Sequence, residues 1–372
     1  MKFNLSGKKK IVIKIGSSLL VADGELRKRW LKKLVSDIAD LVKQNIKVII
    51  VSSGAVALGK SFLKMEDKNN LTMEEKQAAA AIGQIYLMSF YRDLFKKMDI
   101  DVAQILLTLT DCNFRSRYLN SQNTIKTLLE NNIIPIINEN DSIAVDEIKI
   151  GDNDRLAARV AQMISADMLI LFSDIDGLYD KNPNIYQNAK LIPEVVKVTR
   201  KIEKMASGAV SSVGTGGMVT KVKAAKIAAP SGCDTIVADG RAEGSLGKLV
   251  VGRVNFTIFH QQKDSSSSRN KWISGLLNVK GEVIVNQKAK EALLGKKSSL
   301  LTVGVVDAKG NFKKGDAILI KDEGGIHFAN GMSNYSITDL KKVFGKNSQE
   351  VTKILKKSKK IELVHIDNLA VI

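Results

Sequence analysis

The sequence predicts an α/β fold: a doubly wound, mainly parallel sheet over residues 1–260, followed by a small, mostly-β domain. Three observations carry that expectation. Short Val- and Ile-rich runs alternate with amphipathic helical stretches as far as residue 260. Most of those runs lack polar alternation, as strands covered on both faces should. A polar, serine-rich stretch, HQQKDSSSSRNKW, then breaks the pattern, and glycine-punctuated β-like segments follow it.

The elements follow in order. KIVIKI (10–15) is the first strand, and a helix is expected over Leu26–Asn45, where Trp30, Leu34, Ile38, Leu41 and Val42 recur at helical spacing. KVIIV (47–51) is the second strand, with a helix expected over Met73–Met98. VAQILL (102–107), a helix over Gln122–Asn131 and IIPIIN (133–138) continue the alternation. A helix over Asn153–Ile164 leads to MLILF (168–172), and DTIVA (234–238) follows a helix opening near Met218. In that last helix Met218, Val222, Ala225 and Ala229 form a core-facing stripe, with Lys221 beside it and Lys223 and Lys226 turned to solvent. Strand–helix–strand repetition implies parallel neighbours, with ligands at the carboxyl ends of the strands. The expected boundaries are 1–260 for the sheet domain, 261–279 for a linker, 280–356 for the β domain and 357–372 for a C-terminal tail.

Composition narrows the class. The chain has 372 residues, 44% hydrophobic and 26% charged, ordinary for a soluble globular protein. Its apolar runs all fall short of the ~20 residues that span a bilayer, and its start lacks a secretory core, so a cytoplasmic, membrane-free protein is expected. Cys112 and Cys233 make no disulfide framework, and His260, His327 and His365 are too scattered for a metal centre. The net charge of +18 raises nucleic acid or an anionic substrate, although many of the lysines fall in stretches that read as solvated surface.

Four segments at strand ends carry unusual polar density. In IVIKIGSSLL, Lys14 interrupts an apolar strand and a glycine turn follows. A lysine there is either a phosphate ligand beside open backbone N–H groups or a side chain snorkelling from an edge strand. In VIIVSSGAVALG, Ser52-Ser53-Gly54 either caps a helix or offers N–H groups to a carboxylate. INENDSIAVDEIKIGDNDRLAA gathers more acids and amides than two turns need, which suits an amino group or a magnesium ion. LILFSDIDGLYDKNP ends a strand at Ser173 and Asp174, where a nucleotide base or ribose could lie. The glycine loop VGTGGM, leading into Lys221, is neither GxxxxGK[ST] nor a dinucleotide turn, and reads as a second phosphate clamp opposite Lys14.

Taken together, IVIKIGSS, IVSSGAVALG, PIINENDSI, KIGDNDRLAA, LFSDIDGLY and GTGGMVTKVKAA resemble the amino acid kinase family, and GNFKKGDAI with IHFANG resembles a PUA domain. The resemblance covers nearly the whole chain and fits the branch that acts on glutamate. It implies transfer of the γ-phosphoryl group of ATP, with Mg²⁺, to the side-chain carboxylate of L-glutamate. Lys14, Ser173, Asp174, Thr215, Gly216, Gly217, Met218, Val219, Thr220 and Lys221 would then hold ATP. Ser53, Asp141 and Asn153 would hold glutamate, and Lys14, Lys221, Asp152 and Asp154 would form the catalytic set, with no protein metal ligand named. Ser173 stands where threonine is common, which keeps the hydroxyl, and Val219 stands where serine is frequent, which loses one. The resemblance further implies feedback inhibition by proline, a homo-oligomer and hand-over of the product to a glutamyl phosphate reductase. A rival from another class is an RNA-binding or RNA-modifying protein acting through the PUA-like domain.

Overall fold

The structure, a computed structural model, describes residues 5, 7–65, 71–113, 115–143, 153–207, 217–262, 279–295, 298–355 and 362–371. The chain divides near residue 264 into two compact units.

Eight strands build the sheet of the first unit. They are β1 (Lys10–Ile15), β2 (Lys47–Ser52), β3 (Val102–Leu107), β4 (Ile134–Glu139), β5 (Met168–Ser173), β6 (Glu194–Val195), β7 (Asp234–Asp239) and β8 (Phe256–Phe259). Their spatial order is β6-β8-β7-β5-β1-β2-β4-β3, parallel at every pairing except β7 with β8. The six strands read from apolar runs agree with the structure to within one residue at each end. The other two, β6 and β8, are too short to give a pattern. The edge strand β3 departs from burial on both faces: Leu106 is 37% exposed, and among the described residues no strand pairs beyond β3.

The main helices are α1 (Lys28–Lys43), α2 (Ala55–Phe62), α3 (Met73–Lys96), α4 (Arg115–Glu130), α5 (Asn153–Met163) and α6 (Met218–Ala228). The fourth starts at Arg115 rather than at Gln122, because Tyr118 joins Ile125 and Leu129 in its buried stripe.

Strand alternation sorts the central residues. Ile11, Ile13 and Ile15 of β1 enter one core layer with Trp30, Leu34 and Ile38 of α1. The alternate residues, Val12 and Lys14, therefore face the other side of the sheet, where α5 packs against β1 and α6 packs against α5. Because β1 lies between β5 and β2, the snorkelling reading of Lys14 from an edge strand is excluded. The chain leaves β1 toward β2 on one side and leaves β5 toward β7 on the other. Their carboxyl ends thus form a switch point, the usual ligand crevice of such a sheet.

Two glycines let α2 and α3 approach closely. A Cβ on Gly59 of α2 would lie 1.8 Å from the Ala79 carbonyl oxygen, and one on Gly83 of α3 would lie 1.9 Å from the Ala55 carbonyl oxygen. Gly54, which caps α2, has φ +95°, a left-handed conformation that glycine adopts without strain.

The second unit has a sheet of β9 (Val279–Val285), β10 (Val305–Gly310), β11 (Ala317–Asp322), β12 (His327–Met332) and β13 (Leu369–Val371). Its order is β10-β9-β11-β12-β13, and β9 with β11 is the parallel pair. Val283, Phe312, Ile318 and Ile320 form its core. The stretch expected as a tail is part of this unit. Glu362–Val364 pairs with Leu300–Leu301, β13 extends the sheet, and Leu363 and Leu369 are buried in the core. Most of the expected linker, residues 263–278, lies outside the described residues.

Gly83→Ala should lower stability by about 1–3 kcal/mol, because the methyl group meets backbone rather than a yielding side chain. A urea midpoint equal to that of the parent chain would contradict the tight helix crossing.

Candidate active site

Three charged side chains from three parts of the chain meet beneath the switch point. Lys14 comes from the end of β1, Asp154 from the first turn of α5 and Lys221 from the first turn of α6. Asp154 Oδ1 lies 2.6 Å from Lys14 Nζ, and its Oδ2 lies 3.2 Å from Lys221 Nζ. Thr220 Oγ1 also donates to Oδ2, at 2.7 Å. All three charged residues are buried: 7% of Lys14, 1% of Asp154 and 3% of Lys221 is exposed.

Burial alone would raise the Asp154 carboxyl, but Lys14, Lys221 and the hydroxyl of Thr220 hold it well below the usual carboxylate range. Burial lowers the Lys221 ammonium, while Asp154 pulls it back up and Lys14 lowers it further. Two ammonium groups on one carboxylate leave the trio with one net positive charge. Asp174 also acts on the Lys221 ammonium, raising it, so the charge of the trio is shared with its surroundings.

A second polar group adjoins it. Asn153 Nδ2 lies 2.8 Å from the Ser52 carbonyl oxygen, 2.8 Å from Ser53 Oγ and 3.0 Å from Asn138 Oδ1, which ties α5 to the ends of β2 and β4. Asn138 Nδ2 in turn donates to Gln84 Oε1 of α3 at 2.7 Å. The other end of the Asn153 amide, Oδ1, is buried and has no hydrogen-bond partner among the described residues. An acceptor in that position is open to a further donor.

These residues open onto a cavity of about 310 Å³, at the small end of the range for small-molecule sites. Ser17, Ser53, Asp141 and Asn153 line it, as do Gly54 to Ala57 at the start of α2, whose first N–H groups lack helical acceptors. Asp141 is 8% exposed, and burial pushes its carboxyl up to about 6. Its charged form therefore gains from a bound cation.

The structure thus brings together Lys14, Asp154, Thr220 and Lys221 in one group and Ser53, Asp141 and Asn153 in another. Ser173 ends β5, beside β1, and donates to Asp174 Oδ1 at 3.0 Å. Gly217 caps α6 with φ −70°, Met218 is buried beneath it and Val219 is half-buried. Asp152, Thr215 and Gly216 lie outside the described residues. Lys223 and Lys226 are exposed as expected, and Lys226 pairs with Glu203 at 2.7 Å. Asn138 and Glu139, from the acid- and amide-rich segment, also line the cavity, and so do two lysines that sequence reasoning did not single out, Lys60 and Lys76. The lysines come from α2 and α3, whose approach is set by tertiary packing.

Comparison with known proteins places the chain in a family. The profile of the amino acid kinase family matches residues 9–239, and that of the PUA domain matches residues 281–355. The chain is 45% identical to a glutamate 5-kinase of Pelagibacter ubique, covering 98% of this chain and 99% of that one. It is 44% identical to a glutamate 5-kinase of Nitrobacter hamburgensis over 98% of this chain and 96% of that one, and 43% identical to one of Syntrophotalea carbinolica over 99% and 98%. Among solved structures, a carbamate kinase from Giardia lamblia bound to AMP-PNP shares the fold. Its TM-score is 0.50 at 14% identity, covering 69% of this chain and 100% of that one.

The raised carboxyl of Asp141 has a signed consequence for stability. Its folded value, about 6, exceeds its ordinary value of 3.8, so its contribution is fully present below about pH 4 and is lost as pH rises through about 6. Asp141→Asn should therefore be more stable than the parent at pH 8, by up to about 3 kcal/mol, and lose that advantage at pH 4. Equal urea midpoints for the two proteins at pH 8 would contradict the burial of an unbalanced carboxylate.

Proposed function

The chain belongs to the amino acid kinase family, and we propose that it works as a glutamate 5-kinase. It transfers the γ-phosphoryl group of ATP to the side-chain carboxylate of L-glutamate, giving L-glutamyl 5-phosphate, the first step of proline biosynthesis. What carries the reading is the likeness to glutamate 5-kinases over nearly the full length of both chains. The buried Lys14–Asp154–Lys221 group supports the chemistry.

The nucleophile is a carboxylate, already ionised at neutral pH, so the reaction needs no general base. The physical difficulty is repulsion: two unit charges 4 Å apart cost roughly 4 kcal/mol at an effective dielectric near 20. We assign the relief of that repulsion to Lys14 and Lys221, which approach the transferred phosphoryl group from β1 and α6. Asp154 cannot serve as a base while both its oxygens are held by cations. Its role is to position the two ammonium groups. Catalysis is then positioning plus charge stabilisation of an in-line transfer.

On the acceptor side, we assign the α-ammonium group of glutamate to Asp141 and to Asn153 Oδ1. The reacting carboxylate goes to the N–H groups at the start of α2, near Ser53. Ser173 and Asp174, with the Gly217–Thr220 segment, belong to the nucleotide in this reading, as do Thr215 and Gly216, and Asp152 joins Asp154 in ordering the site. For Mg²⁺, the described residues contain no cluster of three or more His, Cys, Asp or Glu, and Asp154 is taken by the lysines. A magnesium ion carried by the ATP phosphates and water is compatible with that, and no step is routed through it.

Inhibition by proline and a homo-oligomer are expectations from the resemblance, and delivery of the acyl phosphate to a reductase, RNA contact through the second unit and a cytoplasmic location are further proposals that no residue described above bears on. No helix among the described residues is long and apolar enough to cross a membrane.

The test is an ATP-dependent glutamate hydroxamate assay, with and without proline. Lys14→Ala and Lys221→Ala should each lower kcat by roughly 10²–10³-fold, the scale of one lost transition-state donor. A near-native rate in either variant would remove that lysine from the catalytic set, and an inactive parent chain would overturn the proposed reaction.

A further inference from the structure

The cavity contains a charge pattern that the assignments above leave unused. Glutamate brings three charges: the reacting carboxylate, the α-ammonium group and a second carboxylate on the α-carbon. Asp141 and Asn153 Oδ1 suit the ammonium group, and the start of α2 suits the reacting carboxylate. The second carboxylate must then enter a cavity already lined by the carboxyl groups of Glu139 and Asp141. Without a cation on the wall it would be repelled.

Two lysines line that wall, Lys60 and Lys76. Lys60 lies in the last turn of α2, where a positive charge complements the helix end, and it already has a partner within the protein. Lys76 is different. It is the fourth residue of α3, close to the positive end of a helix, where a cation is disfavoured. It is half-buried, and among the described residues it forms no ion pair. Glu75, beside it, is occupied by the helix cap: Glu75 Oε2 accepts from Thr72 N at 2.9 Å, and Thr72 Oγ1 accepts from Glu75 N at 3.3 Å.

The backbone under Lys76 is also fixed. The contacts of Gly59 with Ala79 and of Gly83 with Ala55 clamp the start of α3 against α2. The lysine thus stands at a set position relative to the N–H groups that open α2. A cation in an unfavourable helical position, on the wall of an amino-acid-sized cavity, is a placement that a ligand anion resolves.

We propose that Lys76 is a specificity-determining residue, whose ammonium group receives the α-carboxylate of the amino-acid acceptor. The inference rests on the glutamate reading above and adds to it the residue that distinguishes a free amino acid from a side-chain carboxylate embedded in a peptide or amide.

The test compares L-glutamate with its α-amide, which keeps the side-chain carboxylate and the amino group but loses the second negative charge. ADP release is measured for the parent chain, Lys76→Met and Lys76→Arg. The parent should favour glutamate in kcat/KM by about 10- to 100-fold, the worth of one charged hydrogen bond. In Lys76→Met that preference should fall toward one, through a raised KM for glutamate with the KM for ATP unmoved. Lys76→Arg should recover part of it. Because the preference compares two acceptors on the same sample, partial misfolding of a variant does not alter it. An unchanged preference in Lys76→Met, or a loss confined to the KM for ATP, would overturn the proposal while leaving the kinase reading intact. A parent chain inert toward glutamate would overturn the kinase reading itself.

Discussion

One buried carboxylate orders the catalytic half of this chain. Asp154 binds Lys14 through one oxygen and Lys221 through the other, so two cations far apart in sequence share a single counterion. A lysine near the end of an apolar strand and another in a buried helical turn would each be costly alone. Joined to Asp154 they are tolerable, and their surplus charge is what a polyphosphate can neutralise. The first turn of α5 suits the carboxylate as well, since the positive end of a helix favours an anion.

The rest of the unit sets the distances around that carboxylate. Alternation along β1 sends Ile13 into one layer and Lys14 toward the other, so the sheet itself aims the lysine at α5. Asn153, the neighbour of Asp154, ties the same helix turn to β2 and β4 through Ser52, Ser53 and Asn138. The amide that lines the cavity and the carboxylate that holds the lysines therefore sit side by side on one helix turn. Ser52 shares a hydrogen bond with the buried Tyr91 of α3, at 3.3 Å, which links the end of β2 to the helix carrying Lys76.

Most of this was legible in the sequence where the signal was local. Unbroken Val and Ile runs fixed the strands, because a strand covered on both faces has no polar alternation to confuse. Lys14 stood out because it interrupts such a run, and Lys221 because it opens a helix after glycines. The partnership of Lys14 with Asp154 was not readable, since it depends on the pleat of β1 and the packing of α5. Lys60 and Lys76 were missed for a related reason. Lysines on amphipathic helices read as solvent-facing, and only the glycine-mediated approach of α2 and α3 brings these two to a cavity. The last strands, Glu362–Val364 and β13, escaped because three residues carry too little periodicity to tell a strand from a tail.

A double-mutant cycle on Lys14 and Lys221 tests the central claim most directly. If both ammonium groups are held as a unit by Asp154, removing one disturbs the other, and the kcat losses of the two single variants should not multiply. The double variant is expected within about tenfold of the slower single variant, by analogy with catalytic groups that act as a unit. Fully multiplicative losses would mean that the lysines act independently, and Asp154 would lose its role as their shared anchor.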